Sequence, residues 1–334
     1  MAQHLVPVVI ARPAPLSCGG PTPRSAQQPH EQGMRRPHPL SSPAAPVGRP
    51  IRALIITLSA CIAACSTEPT LIELPPERVT AHRTYDNGPV TCDRRGPPTD
   101  ATPRIYVIGD STAAVYVAAK HPLMGWAQTL QDHFQMGCAV VEDKALPGRS
   151  SKSFYDEGVW DTVKDALSPG DFVLIQFGHN DAIEQDPNRY TEPFGTYQDY
   201  LTVFVNEARN QGATPIFLTP VVRNRWEDDH IIGTHGDYPQ AMRMLAADLD
   251  VIVVDMTTLT QDYFESLGEE FTSHHVFLNL PAGDSPNYPD GKTDNTHFQE
   301  WGARRVADLA LWGLARQKAG LAPLALQAPT YPAP

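Results

Sequence analysis

Short, nearly continuous apolar runs recur along the chain at residues 104–108, 138–141, 172–177, 215–218 and 251–254. Between them lie longer segments, such as 194–210, 238–249 and 298–316, in which apolar residues return every three or four positions. A strand that is apolar throughout is buried on both faces, which is the condition of a parallel sheet covered by helices. The pattern therefore predicts an α/β fold over residues 104–320, a three-layer sandwich with a central parallel sheet of about five strands. No internal repeat is visible, so one domain is expected rather than an array.

The first hundred residues show neither period. Eleven of the 33 prolines fall in the first fifty residues, beside one acidic residue, Glu31, and such a segment buries too little apolar surface to offset its ordering entropy. Arg49 and Arg52 then precede a mostly apolar run over 53–64, long enough for the core of a signal peptide and too short to span a bilayer. Ile62, Ala63, Ala64 and Cys65 follow the bacterial lipobox pattern, in which the cysteine is lipidated and becomes the new N-terminus. An ordinary secretory signal ending beside a cysteine is the alternative. The order of basic flank, apolar run and cysteine favours the lipid anchor, and Ser66 after it favours the outer membrane.

Residues 1–64 are thus expected to form an N-terminal extension and lipoprotein signal peptide, with Met34, followed by Arg35 and Arg36, as the more natural start. Residues 65–103, rich in Pro, Thr and charge, read as a tether, and 321–334 as a flexible tail. The expected location is outside the cytoplasm, lipid-anchored in a bacterial cell envelope and touching membrane only through that anchor.

Charge sharpens the division. Of 26 basic and 38 acidic residues, 1–64 hold six Arg and one Glu, so the remainder carries 20 against 37, a formal −17. A body so acidic argues against nucleic acid as a partner. Of the five cysteines, Cys18 and Cys61 would leave with the leader and Cys65 would carry lipid, which leaves Cys92 and Cys138. In an oxidising compartment these can pair; otherwise Cys138 is a buried strand residue and Cys92 a free loop thiol. No Cys/His spacing reads as a zinc site, and the adjacent His274 and His275 project differently with no third ligand at an obvious spacing. No metal and no cofactor is expected.

In a parallel sheet chemistry gathers at the carboxyl ends of the strands. The junctions there are Gly109, Asp110, Ser111 and Thr112 after the first run, Gly148 to Ser151 after the second, and Gly178, His179, Asn180 and Asp181 after the third; Asp294, Asn295, Thr296 and His297 precede the last helical segment. Singly, each is an ordinary turn or cap, and Asp110 and Asp294 read as helix caps. Together they supply what acyl transfer from an ester requires: a hydroxyl nucleophile, an imidazole base, a carboxylate to orient it and donors for an oxyanion.

The order of these blocks resembles the SGNH, or GDSL-type, hydrolases, whose flavodoxin-like fold carries a Ser, Gly, Asn and His from four blocks with a carboxylate three residues before the His. The resemblance makes Ser111 the nucleophile, His297 the base and Asp294 its partner, with the Ser111 amide, Gly148 and Asn180 as oxyanion donors. It extends to the rhamnogalacturonan acetylesterases through Gly125-Trp126, residues 148–154 (GRSSKSF), 175–181 (IQFGHND), 219–223 (TPVVR), 235–238 (HGDY) and 286–298 (PNYPDGKTDNTHF), spread over most of 104–315. Residues 142–147 depart from that subgroup, which typically has an Asn near the strand end and a small residue where Pro147 stands.

The resemblance implies a serine esterase that removes O-acetyl groups from a polysaccharide, rhamnogalacturonan or pectin, through an acetyl-enzyme. A lipolytic or broad-specificity esterase and a non-catalytic sugar-binding lipoprotein are the alternatives. Asp181 is expected to anchor its own loop. Arg149, His179, Arg223 and Trp226 are candidate substrate-binding residues: Arg149 and Arg223 for a uronate carboxylate, Trp226 as a sugar platform. The same positions also suit loop charges, ion pairs and rim residues.

Overall fold

The computed structural model describes residues 92, 94 and 96–333. The leader, Cys65 and most of the tether lie outside them. Five parallel strands make the central sheet: β1 (Arg104–Gly109), β2 (Val140–Asp143), β3 (Phe172–Gln176), β4 (Thr214–Leu218) and β5 (Ile252–Val254), in the order β2-β1-β3-β4-β5. Every pairing is parallel, with Ile105 opposite Phe172 and Arg104 opposite Val140.

Successive side chains feed opposite layers, as the two-residue period of a strand requires. Ile105, Val107, Leu174, Ile216 and Leu218 join one buried cluster, while Tyr106, Ile108, Val173, Ile175 and Phe217 join the other. The second cluster is closed by α1 (Ser151–Asp156), α2 (Val159–Lys164), α3 (Thr196–Asn210) and α4 (Tyr238–Leu249). The first is closed by α5 (Met256–Leu267), α6 (Glu300–Arg316) and the 3-10 segment Trp126–His133. This is the expected three-layer α/β sandwich. In α3 the buried residues are Tyr197, Tyr200, Leu201, Phe204, Val205 and Ala208, one helical stripe.

Where elements begin differs from the apolar pattern for local reasons. The second apolar run starts at Cys138, but pairing starts at Val140, because Cys138 is still in a turn whose amide donates to the Gln135 carbonyl. Cys138 is joined there by a disulfide to Cys92, which ties the end of the tether to the domain. The last helix starts at Glu300, since Phe298 and Gln299 pair antiparallel with Met124 and Leu123. Residues 321–333, expected as a flexible tail, instead pack on the domain. Leu321 and Ala325 are fully buried, the Tyr331 ring lies edge-on to Tyr263 and Trp312, and the Tyr263 hydroxyl donates to the Ala333 carbonyl.

Phe204 is the centre of its layer, fully buried, with ring centroids 5.1 Å from Trp160, 5.8 Å from Phe177 and 6.3 Å from both Phe154 and Tyr155. Truncating it removes both apolar transfer and these ring contacts. Phe204→Ala is expected to lower unfolding free energy by about 3–5 kcal/mol in urea titration.

Candidate active site

The strand order reverses direction between β1 and β3, and the crevice outside their carboxyl ends is where open α/β sheets place ligands. Ser111 follows β1 and Asn180 follows β3, so both rim that crevice.

The turn at Ser111 is held by its neighbours. The buried Asp110 Oδ1 accepts from the Thr112 amide at 2.9 Å and the Thr112 hydroxyl at 2.8 Å, and the Tyr116 hydroxyl donates to the Ser111 carbonyl at 2.8 Å. The helix expected after Asp110 does not form. The Thr112 carbonyl, which such a helix would use internally, accepts from the Trp126 amide at 3.0 Å, and the Tyr116 amide donates to Gln128 at 2.9 Å. Asp110 therefore closes a local side-chain turn rather than capping a helix.

Gly148 has φ of +78°, and the Arg149 amide donates back to the Leu146 carbonyl at 3.3 Å. With Pro147 and Gly148 as its central residues this fits a type II turn, which sets proline first and demands positive φ second. Pro147, the departure noted in the sequence, thus suits the local backbone. The amides of Ser111 and Gly148 lie outside strand and helix and, among the described residues, donate to no backbone carbonyl. Asn180 donates from Nδ2 to the Arg149 carbonyl at 3.0 Å, which leaves its second N–H uncommitted to that contact and joins the two loops.

His297 completes the arrangement from across the chain. Its Nε2 lies 2.8 Å from Ser111 Oγ and its Nδ1 2.8 Å from Asp294 Oδ2. Asp294 does not cap α6, whose N-cap is Gln299; its Oδ1 accepts from the Thr296 and His297 amides, both at 3.0 Å. Burial would raise the Asp294 carboxyl, but the His297 hydrogen bond and charge, with those two amides, hold it down to about 2. It is a carboxylate at any working pH. A hydroxyl, an imidazole and a carboxylate in hydrogen-bonded series can remove and return one proton.

Several supporting residues carry no signal of their own in the sequence. Asn279 Oδ1 accepts from the Asp294 amide at 2.8 Å, and its Nδ2 donates to Asn295 Oδ1 at 3.0 Å. Asn224 donates to the same Asn295 oxygen at 2.9 Å and in turn accepts from the Trp226 indole at 2.7 Å. An asparagine in a loop signals only a turn, and partners 71 residues apart appear only once the chain is folded.

The four substrate candidates separate. Arg149 pairs with Glu157 at 2.7 Å and donates to the Pro147 carbonyl, so its charge is spent locally. Trp226 packs its ring against the core and uses its N–H on Asn224, and so braces the Asp294 loop instead of presenting a platform. His179 is buried, with its ring against His235. Arg223 is half-buried, feels the Asp110 charge without contacting it, makes one hydrogen bond to the His179 carbonyl at 3.3 Å, and has a buried Nε with no partner. Desolvation lowers its pKa and the Asp110 charge opposes this. Burial likewise raises the Asp110 carboxyl to about 6, against the Thr112 hydrogen bonds and the charges of His297 and Arg223. His274 and His275 sit exposed on a π-helical turn, Thr272–Val276, and among the described residues no three His, Cys, Asp or Glu side chains gather as metal ligands.

Comparison with known proteins agrees with this layout. The sequence profile described as the GDSL-like lipase/acylhydrolase family matches residues 107–305. The Bacillus subtilis rhamnogalacturonan acetylesterase RhgT is 41% identical over 212 residues, covering 63% of this chain and 89% of the relative. The Emericella nidulans rhamnogalacturonan acetylesterase is 26% identical over 226 residues, covering 62% of this chain and 82% of that one. The crystal structure of Bacillus subtilis YxiM has the same fold, with a TM-score of 0.56 at 24% identity over 65% of this chain and 57% of that one. From the strand order to the residues after each strand, the chain belongs to the GDSL-like lipase/acylhydrolase family.

Proposed function

We propose that this protein is a carbohydrate O-acetylesterase that works through an acetyl-enzyme on Ser111. The observation that carries the reading is the unbroken series Ser111 Oγ, His297, Asp294, each contact 2.8 Å, beside the Gly148 and Asn180 loops. His297 takes the Ser111 proton at Nε2 as Oγ attacks the acetyl carbonyl. Asp294 holds the Nδ1 proton and stabilises the imidazolium. The Ser111 and Gly148 amides and the Asn180 side chain donate to the tetrahedral oxyanion. His297 returns the proton to the departing sugar oxygen, then activates the water that releases acetate.

The substrate proposed is an acetyl ester on a uronate-bearing polysaccharide of the rhamnogalacturonan kind, supported by the activity of the relatives and by Arg223. That guanidinium lies at the carboxyl end of β4 without a carboxylate partner among the described ion pairs, and such a group matches a uronate carboxylate in bidentate geometry. We further propose that the mature chain starts at lipidated Cys65 and is held in a cell envelope, on the order of basic flank, apolar run and lipobox.

Four measurements test these proposals. Ser111→Ala should abolish acetate release with folding intact, Asp294→Asn should lose about 10⁴-fold, and Asn180→Ala about 10²–10³-fold in kcat; full activity in Ser111→Ala overturns the assignment. Acetate release from acetylated pectin, xylan and chitin fragments should be fastest on pectin, and the hydrolysis rate of simple esters should fall steeply from acetyl to octanoyl. Arg223→Ala should lose more on the acidic polymer than on a small neutral ester, and equal losses would remove the uronate contact. Intact mass of the membrane-extracted protein should correspond to a diacylated or triacylated chain beginning at Cys65, and an unmodified terminus elsewhere rejects the anchor.

A further inference from the structure

Two buried imidazoles lie under the site and have no part in the proton transfers above. His179 and His235 are 3% and 4% exposed, their rings meet edge-on with centroids 4.2 Å apart, and their Nε2 atoms are 3.2 Å apart. Among the described residues no third His, Cys, Asp or Glu joins them to make a cation site, and the neighbouring Arg223 charge disfavours one. The contact is a hydrogen bond between rings.

Its direction follows from protonation. Burial, then the Arg223 charge, pushes His235 down to about 3; burial first, then the charges of His235, Arg223 and His297, pushes His179 well below the usual imidazole range. Both rings are neutral, so each holds one proton, and one Nε2 donates to the other. Thr234 Oγ1 lies 3.0 Å from His235 Nδ1. With that hydroxyl as donor, His235 keeps its proton on Nε2 and gives it to His179 Nε2, and the His179 proton lies on Nδ1. That Nδ1 has no hydrogen bond of regular geometry, and the Val221 carbonyl is the backbone acceptor acting on the ring.

Residue 179 is therefore pinned twice: its ring by His235 and its carbonyl by Arg223 Nη2 at 3.3 Å. The peptide so fixed leads directly into Asn180. We propose that His235 is a positioning residue which, through His179, aims the Asn180 side-chain amide at the oxyanion. This rests on the esterase reading for its kinetic meaning. A misaimed donor loses transition-state stabilisation and leaves ground-state binding largely intact, so the effect belongs in kcat.

The test compares His235→Phe, which keeps ring volume without a hydrogen bond, with His235→Gln, whose amide can still donate to His179. On 4-nitrophenyl acetate the phenylalanine variant is expected to lose about 10- to 100-fold in kcat, with KM changed by less than about 3-fold. The glutamine variant should recover most of the loss. Because His235 acts through Asn180, the double variant His235→Phe/Asn180→Ala should be no slower than Asn180→Ala alone, whereas a general structural role multiplies the two losses. His235→Asn, whose amide stops short of His179, replaces the phenylalanine variant if that one does not fold. Wild-type kcat in His235→Phe and His235→Asn, or multiplied losses in the double variant, would overturn the proposal. Absence of esterase activity in the wild type would sink the esterase reading instead. In that case the Asn180 side-chain amide resonances decide the positional claim, which stands if they shift in His235→Phe and falls if they do not.

Discussion

The carboxylate of Asp181 sets the separation of the two loops on which the proposed oxyanion donors ride. It is fully buried and accepts from the Gly178 amide at 3.1 Å, the Thr191 hydroxyl at 3.1 Å, and both the amide and hydroxyl of Ser151. Gly178 and Asp181 flank Asn180, and Ser151 opens α1 three residues after Gly148, so one side chain locks both loops to a common point. Burial in this position raises the Asp181 carboxyl to about 7, opposed by its bonds to Ser151 and Thr191. A serine at 151 and a threonine at 191 are therefore part of the same constraint. Gly178, at φ of +139° with Pro220 packed where a Cβ would stand, lets the strand turn sharply enough to bring its amide to that carboxylate.

The floor and the rim of the site respond to pH with opposite sign. Asp110 and Asp181, at about 6 and about 7, hold protons more tightly folded than unfolded, so their contribution to stability is full at low pH and is lost as pH rises through those values. Asp294, held at about 2, contributes above the usual carboxylate range and loses that contribution as pH falls toward 2. The group that the proposed proton transfer needs ionised is the one whose surroundings supply two amides and an imidazole. The carboxyls kept from water are those that turn chains and join loops.

Much of this was legible in the sequence because it follows from periods and from chemistry at strand ends. The five apolar runs gave the strands within two residues, and the α3 stripe and the Pro147–Gly148 turn follow from residue type alone. Ser111, His297 and Asp294 do meet at the carboxyl end of the sheet, and Asn180 bonds there to the loop that carries Gly148. What the sequence hid were contacts between distant loops. Asp110 reads as a helix cap because local rules favour it, and the helix fails because Trp126 and Gln128, more than ten residues on, take its backbone groups. Trp226 reads as exposed because its loop is polar, and its indole is instead drawn in by Asn224 and the core. The pairing of His179 with His235 spans 56 residues and follows no spacing rule. The packed tail is cut by Pro323, Pro329 and Pro332 into pieces too short to show a period, yet Leu321 and Tyr331 each find a hydrophobic site already formed by the domain.

Charge constrains the substrate more by distance than by sign. Residues 65–334 carry a formal −17, which repels an anionic polymer at long range, yet at physiological ionic strength that field decays over about 8 Å. A polysaccharide strand that reaches the crevice meets the groups within a few ångströms. Arg149 offers little there, because Glu157 already answers it. Arg223 differs, since it is half-buried, lacks a carboxylate in contact and faces Asp110 only at longer range, with Asp110 itself pushed toward neutrality by burial. A guanidinium in partly dry surroundings attracts a carboxylate more strongly than a solvated one does. The proposed recognition of a uronate by this acidic protein therefore requires no basic surface, only one desolvated cation placed where the repelling field has already been screened.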